Sequence, residues 1–144
     1  MEQLLERLPE FATNHLYLFA ALGLVSALLI YNLVSGMDKS SIHPFQATAK
    51  INQEEAVIVD VRPMADFSAG HIINSINIPM NGFNNQINRL EKHRNKPIIV
   101  TCRSGAQSSS ACKQLHKEGF EKVFNLKGGI LAWQDANLPV SRKK

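Results

Sequence analysis

The stretch Val100-Thr101-Cys102-Arg103-Ser104-Gly105-Ala106-Gln107-Ser108-Ser109 carries the most chemistry in this chain. The apolar run Pro97-Ile98-Ile99-Val100 predicts a short buried strand, and a helical pattern follows over 108–117. A cysteine between the two stands at the carboxyl edge of a sheet, where α/β proteins hold their ligands. The short turn after it directs backbone N–H groups inward, and the next helix adds its positive end. Both favour thiolate over thiol. Free cysteine titrates near about 8.5, and such surroundings lower it to roughly 3.5–7.5. A thiolate in a cradle of donors is a nucleophile with an anion site built around it. The plainer alternative is a buried structural thiol, which sits poorly with the polar loop Arg103-Ser104-Gly105.

Each loop residue has a reading of its own. The N–H groups from Arg103 to Ser108, through Ser104, Gly105, Ala106 and Gln107, are candidates to hold an anionic sulfur as an oxyanion hole holds oxygen. Arg103 is placed to face an anionic substrate; a solvated loop charge is its simpler role. Gly105 permits the backbone angles that turn N–H groups inward. Ser108 or Ser109 is the expected N-cap of the helix, and Ser108 suits contact with the sulfur equally well. A phosphatase or arsenate reductase loop needs an arginine six positions after its cysteine to grip a tetrahedral dianion; that position holds Ser108.

Outside the loop, Asp60, Arg62 and His71 tempt an acid–base reading. Their stronger reading is structural, because Asp60 and Arg62 flank a strand end and can tie loops by charge-assisted hydrogen bonds. Cys112 groups with Ala111 and Leu115 on one helix face, which reads as core, with a resolving thiol as runner-up. Trp133 reads as core or pocket wall, and Met64 and Met80 as fillers. The five histidines are scattered, and no CxxC or HExxH spacing occurs, so neither metal nor cofactor is expected.

Elements to position that loop follow from periodicity. Helices are expected from His43-Pro44 to Asn52, over Met64–Ser68, over Phe83–His93 and from Ile130 to Ala136; strands are expected over Ala56–Val61, Ser75–Ile78 and Lys122–Leu126. Gly119 is set to close the helix after the loop. Residues 69–72 read as a connector. Alternating strands and helices predict a mostly parallel sheet covered on both faces.

The chain has 144 residues and a formal charge of +4. Three acids (Glu2, Glu6, Glu10) and one base (Arg7) precede an uncharged run over 16–35, so the remainder is more basic still. That balance suits anionic small substrates or a lipid face; without interleaved aromatics it does not point to nucleic acid. Two cysteines, Cys102 and Cys112, imply no disulfide framework. From Leu16 to Val34 the run spans roughly 28 Å, close to a bilayer's hydrocarbon thickness. Tyr17 and Tyr31 stand near its ends. A cleaved signal peptide would want a basic leader and a shorter apolar segment. A single transmembrane helix is the better reading, with Lys39 and Lys50 against Arg7 placing the following domain in the cytoplasm. The expected organisation is a flank over 1–15, a membrane helix over 16–35, a linker over 36–41, one domain over 42–140 and a basic tail over 141–144. Gly23 and Ala27 form a small-xxx-small pair, most simply a chance spacing.

Three ordered motifs make the chain resemble the rhodanese-like family. Asp60-Val61-Arg62, Asp66-Phe67, Gly70-His71-Ile72 and Ser75-Ile76-Asn77-Ile78-Pro79 resemble its first signature. Cys102-Arg103-Ser104-Gly105-Ala106-Gln107-Ser108 resembles its active-site loop, and Leu126-Lys127-Gly128-Gly129-Ile130-Leu131-Ala132-Trp133 its closing segment, with Leu138-Pro139-Val140 as the tail. The resemblance spans about Ile42 to Val140. With its leading helix, the whole chain is similar to a membrane-anchored, single-domain bacterial rhodanese. This implies a five-stranded mostly parallel sheet flanked by helices. It also implies a cysteine, here Cys102, that carries sulfane sulfur as a persulfide from a donor such as thiosulfate to a thiophilic acceptor: cyanide, a small thiol or a protein. One departure is Gln107, where many members have a second arginine; it makes a persulfide or another thiol compound the better expected donor. A second class of function is a membrane-tethered binding module of the same fold without turnover.

Overall fold

The computed structural model describes residues 11, 13–35 and 40–142, which divide into two units near residue 38. The first holds helix α1 (Leu16–Ser35). Its side chains from Leu16 to Leu33 are exposed all round, and it is long and apolar enough to cross a membrane. Position near the N-terminus fits an anchor or a signal sequence. Of the segments expected to be irregular, residues 1–10, 12, 36–39 and 143–144 lie outside the described residues.

The second unit is an α/β layer structure. Strands β1 (Ser41–Ile42), β2 (Val57–Asp60), β4 (Ile76–Asn77), β5 (Ile98–Thr101) and β6 (Val123–Leu126) form one sheet in the order β1-β6-β5-β2-β4, every pairing parallel. Two short strands, β3 (His71–Ile72) and β7 (Val140–Ser141), pair antiparallel beside it. Strand residues alternate between two cores. Val59, Ile98, Val100 and Val123 face helix α4 (Ala106–Lys117) and the segment Phe83–His93. Ile58, Ile99 and Leu126 face helices α2 (Pro44–Glu54) and α5 (Gly129–Asp135), with Trp133 donating its ring N–H to the Pro139 carbonyl at 3.0 Å. A sheet buried on both faces explains why β2 and β5 read as unbroken β-branched runs.

Four differences from the sequence reading have physical causes. Ser41–Ile42, read as linker running into a helix start, is an edge strand held by β6: Asn125 N–H donates to the Ser40 carbonyl and Lys127 N–H to the Ile42 carbonyl, each at 2.8 Å. His71–Ile72 and Val140–Ser141, read as connector and tail, find each other only in three dimensions. Phe83–His93 winds as successive 3₁₀ turns; the apolar spacing identifies its buried face (Phe83, Ile87, Leu90) but not its winding. Helix α4 starts at Ala106, two residues before the expected start, because Gly105 at φ 98 turns the chain straight into it. At its far end the expected glycine stop is realised: Phe120 N–H reaches the Leu115 carbonyl and Gly119 N–H that of His116, a Schellman closure with Gly119 at φ 85. A smaller correction concerns Met64, read as a filler; it opens helix α3 (Met64–Ala69) and is 53% exposed.

Candidate active site

A parallel sheet delivers the carboxyl ends of its strands to one edge. The chain runs from β2 out to β4, returns to β5 on the other side of β2, and continues to β6. The order therefore reverses between β2 and β5, the place where open α/β sheets bind ligands. Cys102 follows β5 at that point. The buried polar residues among those described gather at the same edge: Asp60, Arg62, Asn77, Thr101, Asn125 and, in the first turn of α4, Ser108.

Cys102 is buried, and its sulfur is ringed by donors. Gly105 N–H donates to Sγ at 3.0 Å, and the Ser108 hydroxyl stands 3.3 Å from it. Burial pushes the thiol up; the Ser108 hydroxyl and the backbone N–H groups of Ser108, Gly105 and Ser104 outweigh it and hold Cys102 below the ordinary thiol range. These donors are neutral, so the effect is one of aimed dipoles in a dry setting. The Ser108–sulfur contact decides between the two roles open to that residue, since Gly105 occupies the cap position.

Asn125 belongs to the site, although it falls outside the three sequence motifs. Its Oδ1 accepts from the Ser108 hydroxyl at 2.6 Å, and its Nδ2 donates to the Gly105 carbonyl at 3.1 Å. One amide thus orders both groups that touch the sulfur. A hydroxyl has a single proton. With a thiol, S–H donates to Ser108 Oγ and the hydroxyl donates on to Asn125; with a thiolate, the hydroxyl turns to Sγ. The available signal was parity: Asn125, two residues after Val123, shares its face, so a polar residue falls on a core-facing position of β6.

The loop's carbonyls are held from outside. Ile130 N–H donates to the Cys102 carbonyl at 2.8 Å and Leu131 N–H to that of Arg103 at 3.3 Å. A Cβ on Gly129 (φ 59) would collide with the Cys102 carbonyl oxygen and come within 2.6 Å of the Arg103 backbone. Only glycine lets α5 approach this closely. Carbonyls out and N–H groups in is the geometry an anion cradle needs.

The remaining residues named from sequence divide clearly. Arg103 and Ser104 are exposed, and Ala106 and Gln107 are exposed at the start of α4. Asp60 and Arg62 form a buried ion pair at 2.6 Å; Arg62 also donates to the Gly70 carbonyl at 2.7 Å. His71 bonds through Nδ1 to the Phe67 carbonyl at 2.7 Å and stacks on the Phe67 ring. The described hydrogen bonds of these three residues lead into the scaffold. Cys112 packs in the same core as Cys102. Among the described residues no group of three metal-ligating side chains occurs.

A thiol held below its ordinary range by neutral donors has a measurable signature. The pH midpoint of Cys102 alkylation by iodoacetamide is expected below that of an ordinary peptide thiol. Ser108→Ala removes one donor and is expected to move the midpoint up. A wild-type midpoint equal to the peptide's contradicts the cradle.

Known proteins share this fold. A family model described as the rhodanese-like domain matches residues 44–136. The uncharacterized protein YibN of Escherichia coli (strain K12) is 39% identical over 143 residues, covering 97% of this chain and all of that protein. The thiosulfate sulfurtransferase GlpE of Glaesserella parasuis is 31% identical over 101 residues, covering 70% of this chain and 92% of that one. The crystal structure of a rhodanese-related protein from Thermoplasma volcanium superposes with a TM-score of 0.64 at 31% identity, covering 70% of this chain and 96% of that one. Family model, sequence identity and fold agree: this chain belongs to the rhodanese-like family.

Proposed function

We propose that the chain is a sulfurtransferase that moves sulfane sulfur through a persulfide on Cys102. The observation that carries this reading is the donor-ringed sulfur at the sheet's switch point, with Gly105 N–H at 3.0 Å. Cys102 thiolate attacks the outer sulfur of a donor, and the bond to the donor's remainder breaks, its electron pair departing with the leaving group. The persulfide Cys102–S–SH then yields its terminal sulfur to a thiophilic acceptor and returns as thiolate; persulfide is a reversible cysteine state. The N–H groups of Ser104, Gly105 and Ser108 steady the negative sulfur in both steps, and Arg103, exposed at the loop, draws anionic donors. Asp60, Arg62 and His71 hold the scaffold. Helix α1 anchors the domain to the inner membrane, and the lysines that follow it favour a cytoplasmic position for the catalytic unit. Sulfur-containing small molecules are the substrates, with a protein thiol as a further acceptor.

The test is direct. Full-length protein in detergent, treated with thiosulfate or an organic persulfide, is expected to gain the mass of one sulfur atom on the peptide containing Cys102. No gain from any of several donors would leave a membrane-tethered binding module as the reading.

A further inference from the structure

Two acceptors face the one proton of the Ser108 hydroxyl: Asn125 Oδ1 at 2.6 Å and Cys102 Sγ at 3.3 Å. The shorter contact is a full O–H···O hydrogen bond. Which end of the amide meets Ser108 is fixed by its other end. Asn125 Nδ2 lies 3.1 Å from the Gly105 carbonyl, which also accepts from the Ser109 N–H and has no proton to offer. A turned-over amide would set two carbonyl oxygens against each other there, so Oδ1 is held on the hydroxyl. Ser108 is fully buried and Asn125 nearly so. In such a setting an acceptor that loses its donor is costly.

The two donors at the sulfur therefore differ in kind. Gly105 N–H, at 3.0 Å, is fixed in the main chain whatever charge Sγ carries. The Ser108 hydroxyl must leave Oδ1 to reach Sγ, and that strands a buried amide oxygen. Only a charged sulfur outweighs the loss, because a hydrogen bond to a charge is about twice as strong as a neutral one. Ionisable side chains do not disturb this balance. The buried faces of α4, α5 and Phe83–His93 contribute Cys112 as their one titratable group beside Cys102's core. Asp66, Arg103 and Lys127 are exposed, and Asp60 and Arg62 are paired with each other. Burial apart, the groups that move the Cys102 thiol are the Ser108 hydroxyl and the N–H groups of Ser108, Gly105 and Ser104.

We propose that Asn125 is a positioning residue that rations the Ser108 hydroxyl, holding its proton while the Cys102 sulfur is uncharged and yielding it when charge gathers there. The proposal rests on the sulfur-transfer reading and assigns a role within it. Asn125 thus opposes ionisation, although it braces the groups that favour it. In the persulfide Cys102–Sγ–SH, Sγ bears no charge and the hydroxyl stays on Oδ1. When a thiolate acceptor bonds to the terminal sulfur, the Sγ–S bond breaks and its electron pair remains on Sγ. The terminal sulfur leaves with its proton. Negative charge passes from the acceptor to Sγ, and the hydroxyl swings across to meet it, its own proton still on oxygen. Ser108 assists the departure of Cys102 rather than holding the loaded state. Asn125 keeps the free thiolate from being stabilised so far that it loses nucleophilicity.

A double-mutant cycle on full-length protein in detergent tests this without any sulfur donor. The pH midpoint of Cys102 alkylation by iodoacetamide is read by peptide mass for wild type, Asn125→Leu, Ser108→Ala and the pair. The shift caused by Asn125→Leu with Ser108 present, less its shift in the Ser108→Ala background, is expected to be about 0.5–1 pH unit downward, the equivalent of one hydrogen bond. The subtraction removes whatever Asn125→Leu does through the Gly105 carbonyl. A difference of zero, or one upward, overturns the proposal. Infrared spectra of wild type and Ser108→Ala give a second reading that does not depend on the folding of Asn125→Leu. Below the midpoint, the S–H stretch of Cys102, isolated by difference against Cys102→Ser, is expected at the lower frequency of a thiol donating to oxygen. Ser108→Ala should raise it, and an unmoved band overturns the proposal. Persulfide-loaded protein supplies the last arm. Ser108→Ala is expected to release sulfur to a small thiol about tenfold more slowly than wild type, the scale of one hydrogen bond to a charge; an equal rate overturns the role in discharge. Protein that never loads sulfur removes the transfer reaction, while the cycle and the S–H band still decide whether Asn125 holds the hydroxyl.

Discussion

Cys102→Ser is expected to reduce sulfur transfer by about a thousandfold or more, the scale on which enzymes lose rate with their nucleophile. Serine differs by one atom and keeps a polar group beside Gly105 N–H and Ser108, so the fold should survive. Chemistry is what it loses. A hydroxyl stays protonated near neutrality, and oxygen offers no persulfide in which to carry sulfane sulfur. The measurement pairs intact mass after thiosulfate or persulfide treatment with thiocyanate production from cyanide. Wild type should gain sulfur and turn over, and the variant should do neither while melting within about 1 kcal/mol of wild type. A sulfur adduct on the serine variant would move the carrier to Cys112, which is buried in the core facing α4.

Asp60→Ala is expected to cost about 3–5 kcal/mol of stability, the usual consequence of removing one partner from a buried ion pair. Asp60 is fully buried, and its carboxylate accepts from the Arg62 backbone N–H at 3.0 Å, from Nε at 3.0 and 3.1 Å and from the terminal nitrogen at 2.6 Å. Alanine would leave the Arg62 guanidinium nearly buried, with the Gly70 carbonyl its one remaining acceptor among the described residues. In a domain of this size the melting temperature should fall by at least about 10 °C. Adding Arg62→Met should return part of the loss, because the stranded charge disappears with its partner. Asp60→Ala melting within about 1 kcal/mol of wild type, or an added Arg62→Met that deepens the loss, would show that the pair does not hold this edge of the sheet.

How far the chain could be read in advance depended on the range of the interactions. Val57–Asp60, Ile98–Thr101 and Val123–Leu126 announce themselves because strands buried on both faces are mostly apolar runs rich in β-branched residues. Gly119 was legible because a helix stop is a local event of a few residues. The donor-ringed cysteine loop was legible because strand, cysteine and glycine-containing turn are adjacent in sequence. Ser41–Ile42 and Val140–Ser141 were not, since two residues have no periodicity and their partners lie far along the chain. Asn125 escaped for a related reason. Its partners Ser108 and Gly105 are 17 and 20 residues away, and strand parity marks it only as a polar residue on a core face, not as their partner. Met64 misled because hydrophobicity alone does not tell a core filler from the rim of a hollow.

The backbone contacts that brace the cysteine loop come from later in the chain: the Asn125 amide, the close passage of Gly129, and the N–H groups of Ile130 and Leu131. During synthesis the ribosome releases Cys102 well before any of them. In a nascent polypeptide these braces are missing, and the ring of donors around Cys102 is complete only when the closing segment docks. A product ending before residue 125 would retain its cysteine but none of the later contacts that aim the donors at it.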